Sequence, residues 1–449
     1  MAAKNRWMVL CLAGVLSVAG CSSDNGGGSG KIGEQPETDT GSVEEDTGGS
    51  DEDAAQGPVT YYQHIKPILE SNCVSCHTEG GIAPFVLDSY EAAKPVAGGL
   101  ATAVESGSMP PWPPQEGCGE FQHTRAVTAD EIAKIREWAD TGAPEGDPAN
   151  AASGQVDTVE LGEPDFVADP GFDYVGNPPE GGIDDYHCFV IDPQLDQDRF
   201  LRAFESIPGN DSIVHHVLLY SAGPDEASRI QELEDEDTSS PGYTCFGGPR
   251  LSEPTLLGGW VPGTVPLDFG ADKGIRIEQG SKLVMQVHYN MLNDPGGTDR
   301  TTVELHYTDG TPDVELAMLP LAQTNLNIAA GNAEAVETVS IDLPIPIDLY
   351  GVVPHMHLLG KSIDVKYTKD GQDTCLVDIP EWDFDWQGFY LYKDPVRIPG
   401  SSRVTLTCKF DNSPENQPDG RTPRDVTWGE GTYDEMCLNY VIIKRPPGL

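Results

Sequence analysis

Basic residues are scarce in this 449-residue chain. Lys and Arg number 27 against 73 Asp and Glu, which gives a formal net charge of −46. Proteins bind nucleic acids by matching phosphates with Lys and Arg, so this balance excludes a nucleic-acid partner and disfavours docking by charge on an anionic lipid surface. Long hydrophobic runs are also missing beyond the N-terminus, and no later stretch is apolar enough to cross a membrane as a helix.

Two metal-site patterns are missing as well. The chain has no second CxxC besides Cys73-Val-Ser-Cys76, which excludes a zinc ribbon. No HExxH carboxylate accompanies its histidines, which leaves a zinc hydrolase as a distant alternative. Glycine and proline are instead abundant, at 50 and 37 residues, while 38% of the chain is hydrophobic. This composition favours turn-rich, mostly β domains over a disordered chain.

The N-terminus has the pattern of an export signal. Basic residues precede a short apolar run, residues 7–19, which is too short for a permanent membrane helix. The run ends in Val-Ala-Gly-Cys21, which resembles a bacterial lipobox. The resemblance implies that a signal peptide, residues 1–20, is removed and that Cys21 is lipidated, while Ser22 favours sorting to the outer membrane. We therefore expect a bacterial outer-membrane lipoprotein that faces the periplasm or the cell surface and contacts the membrane only through its lipid anchor.

The segment that follows is predicted to be a disordered acidic linker, residues 21–58. It is dominated by Gly, Ser, Thr, Asp and Glu, with Lys31 as its one basic residue. Such a segment cannot bury enough apolar area to offset its chain entropy. Export also places the chain in a compartment that permits disulfide bonds.

The first folded segment, residues 59–148, carries the pattern Cys73-Val-Ser-Cys76-His77. This CxxCH spacing is that of covalent haem c attachment, in which two thiols bind the porphyrin and the adjacent histidine binds the iron. Together with the Met-Pro-Pro-Trp loop and the helix EIAKIREWADTGAPEG, the segment resembles the small cytochrome c domains fused to bacterial secreted enzymes. Met109 in that loop is the best candidate for the sixth haem ligand, and His123 and His64 stay open as alternatives.

Short alternating segments with turn signals between them continue from about residue 160 to 449. They predict two consecutive β-sandwiches, residues 160–325 and 326–449. The predicted fold class is therefore multidomain, with a small all-α cytochrome c-like domain followed by two all-β, jelly-roll-like sandwiches.

Five of the chain's ten histidines fall into three groups within these sandwiches, which favours metal binding over isolated core histidines. His355 and His357 lie two residues apart, so on a strand they point to the same face. His215 and His216 are adjacent and would point to opposite faces, so a shared metal requires a β-bulge or a strand end there. His288 lies on a third predicted strand.

The order HH, QVHY, HMHxxGK and EMC resembles the copper type II, ascorbate-dependent monooxygenases, the family of peptidylglycine α-hydroxylating monooxygenase and dopamine β-monooxygenase. The resemblance implies two copper ions and dioxygen as a substrate. A thioether beside two imidazoles suits Cu(I), whereas three imidazoles suit both oxidation states of copper. The ligands implied are His215, His216 and His288 for an electron-transfer copper, and His355, His357 and Met436 for an oxygen-binding copper.

The same resemblance implies two disulfide bonds, Cys188–Cys245 and Cys408–Cys437. Two further cysteines, Cys118 and Cys375, are left over once the haem and lipid cysteines are assigned. A bridge between this last pair and two separate thiols both stay open.

The sequence departs from the peptidylglycine enzyme where that enzyme grips a substrate carboxylate. Val353 stands in place of its arginine, and Leu438 in place of the asparagine after Met-Cys. Peptide amidation is therefore disfavoured, and we expect a small, non-peptide substrate. Tyr440 is predicted to face the oxygen-binding copper and Gln286 to share a strand face with His288, which makes both candidate catalytic residues. A group of aromatic residues is assigned to the core or to the same cleft: Trp382, Phe384, Trp386 and Tyr390.

The function expected from this resemblance is hydroxylation of a C–H bond with O2. The family takes its two electrons from ascorbate. Here the haem of His77 is expected to take them from a periplasmic or surface donor, or from an ascorbate-like reductant, and to pass them to the copper of His215, His216 and His288. The alternative is a lipid-anchored haem and copper protein for electron transfer or copper handling, without oxygenase activity.

Overall fold

A computed structural model describes most of the chain beyond residue 56. The predicted signal peptide, Cys21 and nearly all of the linker lie outside the described residues. Within the described part, no helix is both long and apolar enough to cross a membrane. The described residues are 57–79, 83, 85–112, 114–154, 159–179, 182–246, 248–261, 264–291, 294–384, 386–429, 431 and 433–446.

The α-helices of this part lie mainly before residue 141. A short π-helical turn, Tyr61–Ile65, leads into the first of them. Their bounds are α1 Lys66–Asn72, α2 Tyr90–Ala93, α3 Ala97–Glu105, α4 Ala129–Asp140 and α5 Ala227–Glu236.

The helical unit is the first folded segment, residues 59–148, which contains α1 to α4. Helix α4 shows how the sequence specifies this unit. Thr128 and Glu131 form a capping box, in which the threonine Oγ1 accepts from the Glu131 N–H and the glutamate carboxylate accepts from the Thr128 N–H. Ile135 and Trp138 are fully buried on one face, among side chains of α1 and α3. Gly142, at φ +87°, allows the chain to turn away from the helix end. The helical segment expected before residue 148 is thus present with a core of its own.

The remainder of the described chain is built from short strands. Their bounds are β1 Phe166–Ala168, β2 Tyr174–Val175, β3 Asp184–Ile191, β4 Arg199–Ile207, β5 Val214–Ala222, β6 Tyr243–Thr244, β7 Thr255–Trp260, β8 Leu267–Asp268, β9 Lys273–Ile277, β10 Lys282–Asn290, β11 Thr298–Asp299, β12 Thr302–Tyr307, β13 Val314–Ala322, β14 Asn327–Ile328, β15 Ala335–Leu343, β16 Ile347–His355, β17 Gly360–Lys369, β18 Gln372–Ile379, β19 Tyr390–Ile398, β20 Ser402–Phe410, β21 Val426–Thr427 and β22 Leu438–Lys444.

One nine-stranded sheet, in the order β1-β12-β4-β9-β13-β22-β16-β19 with β8 on β4, runs through both predicted sandwiches. The parts of the β-structure before and after residue 325 are called here its first and second halves. Strand β13 joins them, because it pairs in parallel with β9 of the first half and antiparallel with β22, the last strand of the second. A five-stranded sheet, β6-β3-β10-β5-β7, shares an apolar core with the first half of the large sheet, and a four-stranded sheet, β15-β20-β17-β18, shares another with the second half. The boundary between the two sandwiches predicted at residue 325 lies just after the end of β13, the strand that joins the halves.

Three disulfide bonds brace this β-structure. Both pairings implied by the family resemblance are present: Cys188–Cys245 ties β3 to the segment after β6, and Cys408–Cys437 ties β20 to the residue before β22. The pair left open is also bonded, since Cys118 of the helical unit meets Cys375 on β18.

The segment after α3 fixes the helical unit to the second half of the β-structure. The Gln122 N–H donates to the Leu391 carbonyl and the Lys393 N–H to the Glu120 carbonyl, each at 2.8 Å, so residues 120–122 extend the large sheet at the edge strand β19. Trp112 packs its ring against Tyr390, with the centroids 5.6 Å apart. The CxxCH segment and the histidine-rich strands therefore belong to one compact body.

Candidate metal centres

The first candidate centre lies where β5 pairs with β10. His288 on β10 pairs with His216 on β5, but the next residue, Tyr289, pairs with Val214. His215 is the extra residue of this β-bulge, and the bulge turns two adjacent side chains toward the same side. A metal shared by His215 and His216 requires a β-bulge or a strand end at this pair, and the β-bulge is present.

The three imidazoles converge through their Nδ1 atoms. Nδ1 of His216 lies 3.4 Å from Nδ1 of His215 and 3.4 Å from Nδ1 of His288. One nitrogen from each of the three rings lies within 4.8 Å of the others. Removal from water, followed by the neighbouring imidazoles, lowers the pKa of both His216 and His288 well below the usual value. The rings of His216 and His288 are therefore neutral near pH 7, and the Nδ1 atoms of all three histidines lie close to a common point.

Two side chains on β3 hold His288 in this orientation. Nε2 of His288 lies 3.0 Å from a carboxylate oxygen of Asp184, so the Nε2–H donates there and Nδ1 carries the lone pair. On the other side, the Tyr186 ring stacks on the imidazole with centroids 4.0 Å apart and planes 9° from parallel. A carboxylate behind a ligand histidine fixes its tautomer and strengthens it as a ligand.

Replacement of Asp184 by Asn is expected to weaken copper binding at the three-histidine centre by roughly 10- to 100-fold, the usual effect of losing a carboxylate behind a ligand histidine. The amide can accept the same hydrogen bond but no longer stabilises the polarised imidazole. Competition with a chelator of known affinity measures the change. Asp198→Asn, which removes a surface ion pair with Arg276, serves as the control and should leave the affinity unchanged. Equal copper affinity in both variants would contradict this role of Asp184.

The second candidate centre contains His355 and His357, whose ring centroids are 5.0 Å apart. The expectation that both lie on one strand is wrong: His355 is the last residue of β16, and His357 lies in the following turn. The chain leaves the strand because the His357 N–H donates at 2.9 Å to the buried carboxylate of Glu435 instead of to a neighbouring strand.

Both imidazoles of this pair are oriented by hydrogen bonds at Nδ1. Nδ1 of His355 lies 2.5 Å from Oε1 of Gln387, and Nδ1 of His357 lies 3.1 Å from the Asp434 carbonyl. Each Nδ1–H therefore donates, which leaves the Nε2 lone pair for a metal. Removal from water lowers the pKa of His355. Removal from water and the nearby His355 imidazole together lower the pKa of His357 to about 3.

Met436 lies beside this pair in the fold. Glu435, directly before it, accepts from the backbone of His357 and Leu359, and Leu438, two residues after it, pairs with His355. The Met436 side chain is itself buried, 5% exposed. Hydrogen bonds before Met436 and strand pairing after it thus hold the segment that carries this thioether next to both histidines.

The donor sets fit copper. Three imidazoles that share one point suit copper in both oxidation states, and two imidazoles beside a thioether favour Cu(I). The residues that would hold the first ion are His215, His216 and His288, and those that would hold the second are His355 and His357, with Met436 in the segment beside them.

The CxxCH segment is compatible with a covalent haem. Cys73 and Cys76 are not disulfide-bonded, and they lie in the turns that follow α1. Nδ1 of His77 lies 2.9 Å from the Phe85 carbonyl, so the Nδ1–H donates and Nε2 is left to bind iron. The imidazole also contacts the Phe85 ring, at a centroid distance of 4.6 Å. The two unbridged thiols and the imidazole bonded at Nδ1 therefore match the residues that haem c requires.

The sixth haem ligand stays a prediction. Met109 lies in the loop after α3, where its N–H donates to the Ala103 carbonyl. His64 accepts a hydrogen bond at Nδ1 from the Thr60 N–H, which leaves its other ring nitrogen available. His123 lies in the segment that docks on β19 and has a left-handed backbone, φ +51°.

The two candidate catalytic residues lie near the centres in different roles. Gln286 is buried, and its Nε2–H donates to the Cys245 carbonyl at 2.9 Å, so it positions the disulfide-bonded segment. No contact among the described residues supports the catalytic role expected of Gln286, and that role stays a prediction. Tyr440 pairs with Val353, on the sheet face that Leu438 and His355 share, and packs against the first core. Its catalytic role stays a prediction.

Four residues at the centres were not predicted for the roles that they have. Asp184, Gln387 and Glu435 orient the histidines, and Phe384, which the sequence assigned to the core or a cleft, contacts both histidine sets. For Asp184 a sequence signal existed, because antiparallel pairing of the YHCFV and QVHY strands brings it opposite Asn290, next to His288. Gln387 and Phe384 lie in an irregular loop, where no periodicity indicates direction.

Comparisons with known proteins agree with the copper assignment. Residues 318–444, which include His355, His357 and Met436, match the family described as copper type II ascorbate-dependent monooxygenase, C-terminal domain. The chain is 22% identical over 283 residues to DBH-like monooxygenase protein 1 of Gallus gallus, covering 57% of this chain and 41% of that protein. It is 23% identical to dopamine beta-hydroxylase of Canis lupus familiaris (52% and 38% covered) and 24% identical to tyramine beta-hydroxylase of Caenorhabditis briggsae (57% and 42% covered).

The chain thus spans about two fifths of the length of these curated relatives. A solved structure of N-glycanase F aligns over 62% of the chain and 95% of its own with a TM-score of 0.28 and 11% identity, too low to support an inference. Together, the matched segment and the curated relatives support the copper type II ascorbate-dependent monooxygenase family.

Proposed function

We propose that this chain is a copper monooxygenase that hydroxylates a C–H bond of a small, non-peptide substrate with O2. The observation that carries the proposal is that two histidine sets, one from each half of the β-structure, contact the same Phe384 ring, the first through His215 and the second through His357. The relatives named as dopamine and tyramine beta-hydroxylases support the same reaction class.

The reaction sets the requirements that the site must meet. One oxygen atom enters the C–H bond and the other leaves as water, so each turnover consumes O2, two electrons and two protons. Copper, when bound, supplies the one-electron chemistry. The protein orients His288, His355 and His357 through a hydrogen bond on the ring nitrogen that faces away from the metal position. It lowers the pKa of four of the five imidazoles, those of His216, His288, His355 and His357, and it keeps Met436 buried in the segment next to the second pair.

The proposal of a non-peptide substrate rests on the wall beside the second centre. Val353 lies two residues before His355 on β16, and it packs with Tyr440 against the first core. A substrate carboxylate therefore meets an apolar surface at this position, with no guanidinium to form a bidentate pair.

We further propose that electrons enter through a haem c bound by Cys73, Cys76 and His77. The haem, when bound, supplies a one-electron carrier on the same polypeptide. The disulfide between Cys118 and Cys375 and the sheet extension onto β19 support this, because they hold the helical unit against the half that contains His355.

Metal analysis combined with a pyridine haemochrome tests the cofactor part of the proposal. The expected result is two coppers, one iron and one covalent haem for each chain. Anaerobic flash reduction of the haem then tests electron supply, since haem reoxidation is expected to require Cu(II). Reoxidation at the same rate in copper-free protein would overturn the role of the haem and leave ascorbate-like reductants as the source.

Substrate-dependent O2 uptake tests the oxygenase part. Copper-loaded protein with ascorbate is supplied with 18O2 and with tyramine, phenethylamine or an uncharged alkylbenzene, and the products are examined by mass spectrometry. One 18O atom in the product supports the proposal. Tight copper binding with no substrate-dependent uptake across the panel would instead identify an electron-transfer or copper-handling protein.

We also propose that the mature protein is anchored at an outer membrane by lipid on Cys21, on the strength of the lipobox-like sequence alone. Detergent-phase partitioning of the wild-type protein compared with Cys21→Ser tests this. Equal partitioning of the two would exclude the anchor.

A further inference from the structure

An open cavity of about 540 Å³ lies in the first half of the β-structure, at one end of the large sheet. The residues before β1, the turn before β9, the end of β12 and the loop from β12 to β13 meet there. The Tyr307 N–H donates to the Asp165 carboxylate at 2.7 Å, and the Val314 N–H donates to the Asp272 carbonyl at 3.0 Å, so these segments are tied together. The volume is that of a site for a small organic molecule, and none of the residues that line it is a ligand candidate of either metal centre.

The rim of this cavity is acidic. Asp165 and Asp272 contribute two carboxylates, and the Arg202 guanidinium, which also lines the cavity, is paired with Asp268 at 3.4 Å. Three exposed carboxylates of the rim have no ion-pair partner among the described residues: Glu163, Asp309 and Asp313. A ligand at this position therefore meets an excess of negative charge.

A buried histidine, His306, lines the same cavity. Val303 and Leu305 of β12 belong to the first core, so the alternation of the strand places His306 on its opposite face. The side chain is 3% exposed, and its Nε2 has no hydrogen-bond partner among the described residues. Burial and, after it, the Arg202 guanidinium lower the pKa of His306, so the ring is neutral near pH 7. A buried polar nitrogen without a partner costs free energy, and a ligand in the cavity would supply the missing hydrogen bond.

The chemistry of these groups suits an ammonium group better than a metal ion. Calcium and magnesium take oxygen ligands, whereas zinc and copper need three or four donors close together. Among the described residues, the histidines of the first centre are the one group that brings three such donors within 4.8 Å of one another. An ammonium N–H, in contrast, can donate to a neutral imidazole nitrogen and to a carboxylate. The rim carboxylates come from separate segments, so a chain with several ammonium groups can pair with more than one of them.

We propose that this cavity is a binding site for an aliphatic polyamine, a flexible chain that carries two or more ammonium groups. One ammonium group donates to Nε2 of His306, and the others pair with the carboxylates of Glu163, Asp309 and Asp313. The site goes beyond the proposed function and depends on neither copper nor haem, so the failure of one leaves the other standing.

Calorimetric titration of the full chain with spermidine tests the site. The net charge of −46 attracts any polyamine, so the titration is made at physiological ionic strength, which screens that attraction. The expected result is one spermidine for each chain. His306→Leu should weaken binding roughly 10- to 100-fold, the effect of removing a hydrogen bond to a charged group. His306→Gln, whose amide oxygen can accept, should restore part of the affinity.

A double variant of the rim, Asp309→Asn with Asp313→Asn, changes exposed side chains alone and keeps the test available if the His306 variants do not fold. It should weaken binding roughly 5-fold or more. Glu232→Gln with Asp235→Asn is the matched control, because it removes the same charge from the exposed face of α5 and should bind as the wild-type protein does. Equal weakening in both double variants would reduce the binding to general attraction and overturn the proposal, as would unchanged affinity in a folded His306→Leu protein.

Titration with calcium chloride in place of spermidine separates an organic cation from a metal ion. Calcium should show no site that the rim variant loses. A calcium site that disappears in the rim variant, in a protein that binds no spermidine, would overturn the polyamine assignment.

Discussion

Replacement of His216 by Ala is expected to lower the copper content from two ions per chain to one. Nδ1 of His216 is the central atom of the first centre, 3.4 Å from the corresponding atoms of His215 and His288. Without it, the remaining two imidazoles have no third nitrogen to complete the set. Loss of a residue behind a ligand costs roughly 10- to 100-fold in affinity or activity, so loss of the ligand itself should exceed about 100-fold in turnover.

Metal analysis after gel filtration measures the copper content, and O2 uptake measures the turnover. His187→Gln is the matched control, because His187 is a buried histidine of the same sheet whose Nε2 bonds to the Pro241 carbonyl, a contact that glutamine can keep. The control should retain two coppers. A His216→Ala protein that also retains two would show that the converging imidazoles are not a metal site.

Local signals predicted the parts of the structure that depend on neighbouring residues. The helix predicted in EIAKIREWADTGAPEG is present as α4, and the capping box of Thr128 and Glu131 satisfies backbone N–H groups within its first turn. A metal shared by the adjacent pair His215 and His216 required a β-bulge or a strand end, because a regular strand cannot direct two successive side chains to one side, and the β-bulge is present. In both cases the physical requirement acts within a few residues.

Features that depend on distant segments were not predictable in the same way. The large sheet unites the two expected sandwiches because β9, β13 and β22 pair although they are far apart in the chain. His357 leaves the predicted strand because Glu435, which comes much later in the sequence, accepts its N–H. Strand periodicity carries no information about either partner.

Glu435 is the first residue of the EMC motif, and the sequence assigned it no role of its own. Its side chain is fully buried, and its carboxylate accepts the N–H groups of His357, Leu359 and Met436 at 2.9, 2.6 and 3.3 Å. Burial raises the pKa of this carboxyl group to about 8, although the three hydrogen bonds oppose the shift. One buried group thus fixes the backbone of two ligand candidates of the second centre, His357 and Met436.

Glu435→Ala is expected to lower the free energy of unfolding by about 3 kcal/mol or more, since it leaves three backbone donors without their acceptor and each unsatisfied donor costs about 1 kcal/mol at least. The same change should weaken copper binding at the second centre by roughly 10- to 100-fold while the first centre stays loaded. Denaturant unfolding of the copper-free protein measures the first effect, and chelator competition measures the second.

Glu226→Ala separates stability from metal binding. The Glu226 carboxylate is buried and accepts the N–H groups of Ser252 and Glu253 at 2.8 Å, so it performs the same kind of backbone capping away from both centres. Its loss should destabilise the fold without changing the copper affinity. If both variants lower stability and neither lowers the affinity of the second centre, Glu435 supports only the fold. If Glu435→Ala alone loses the second copper, this carboxylate holds His357 and Met436 in the geometry that the ion requires.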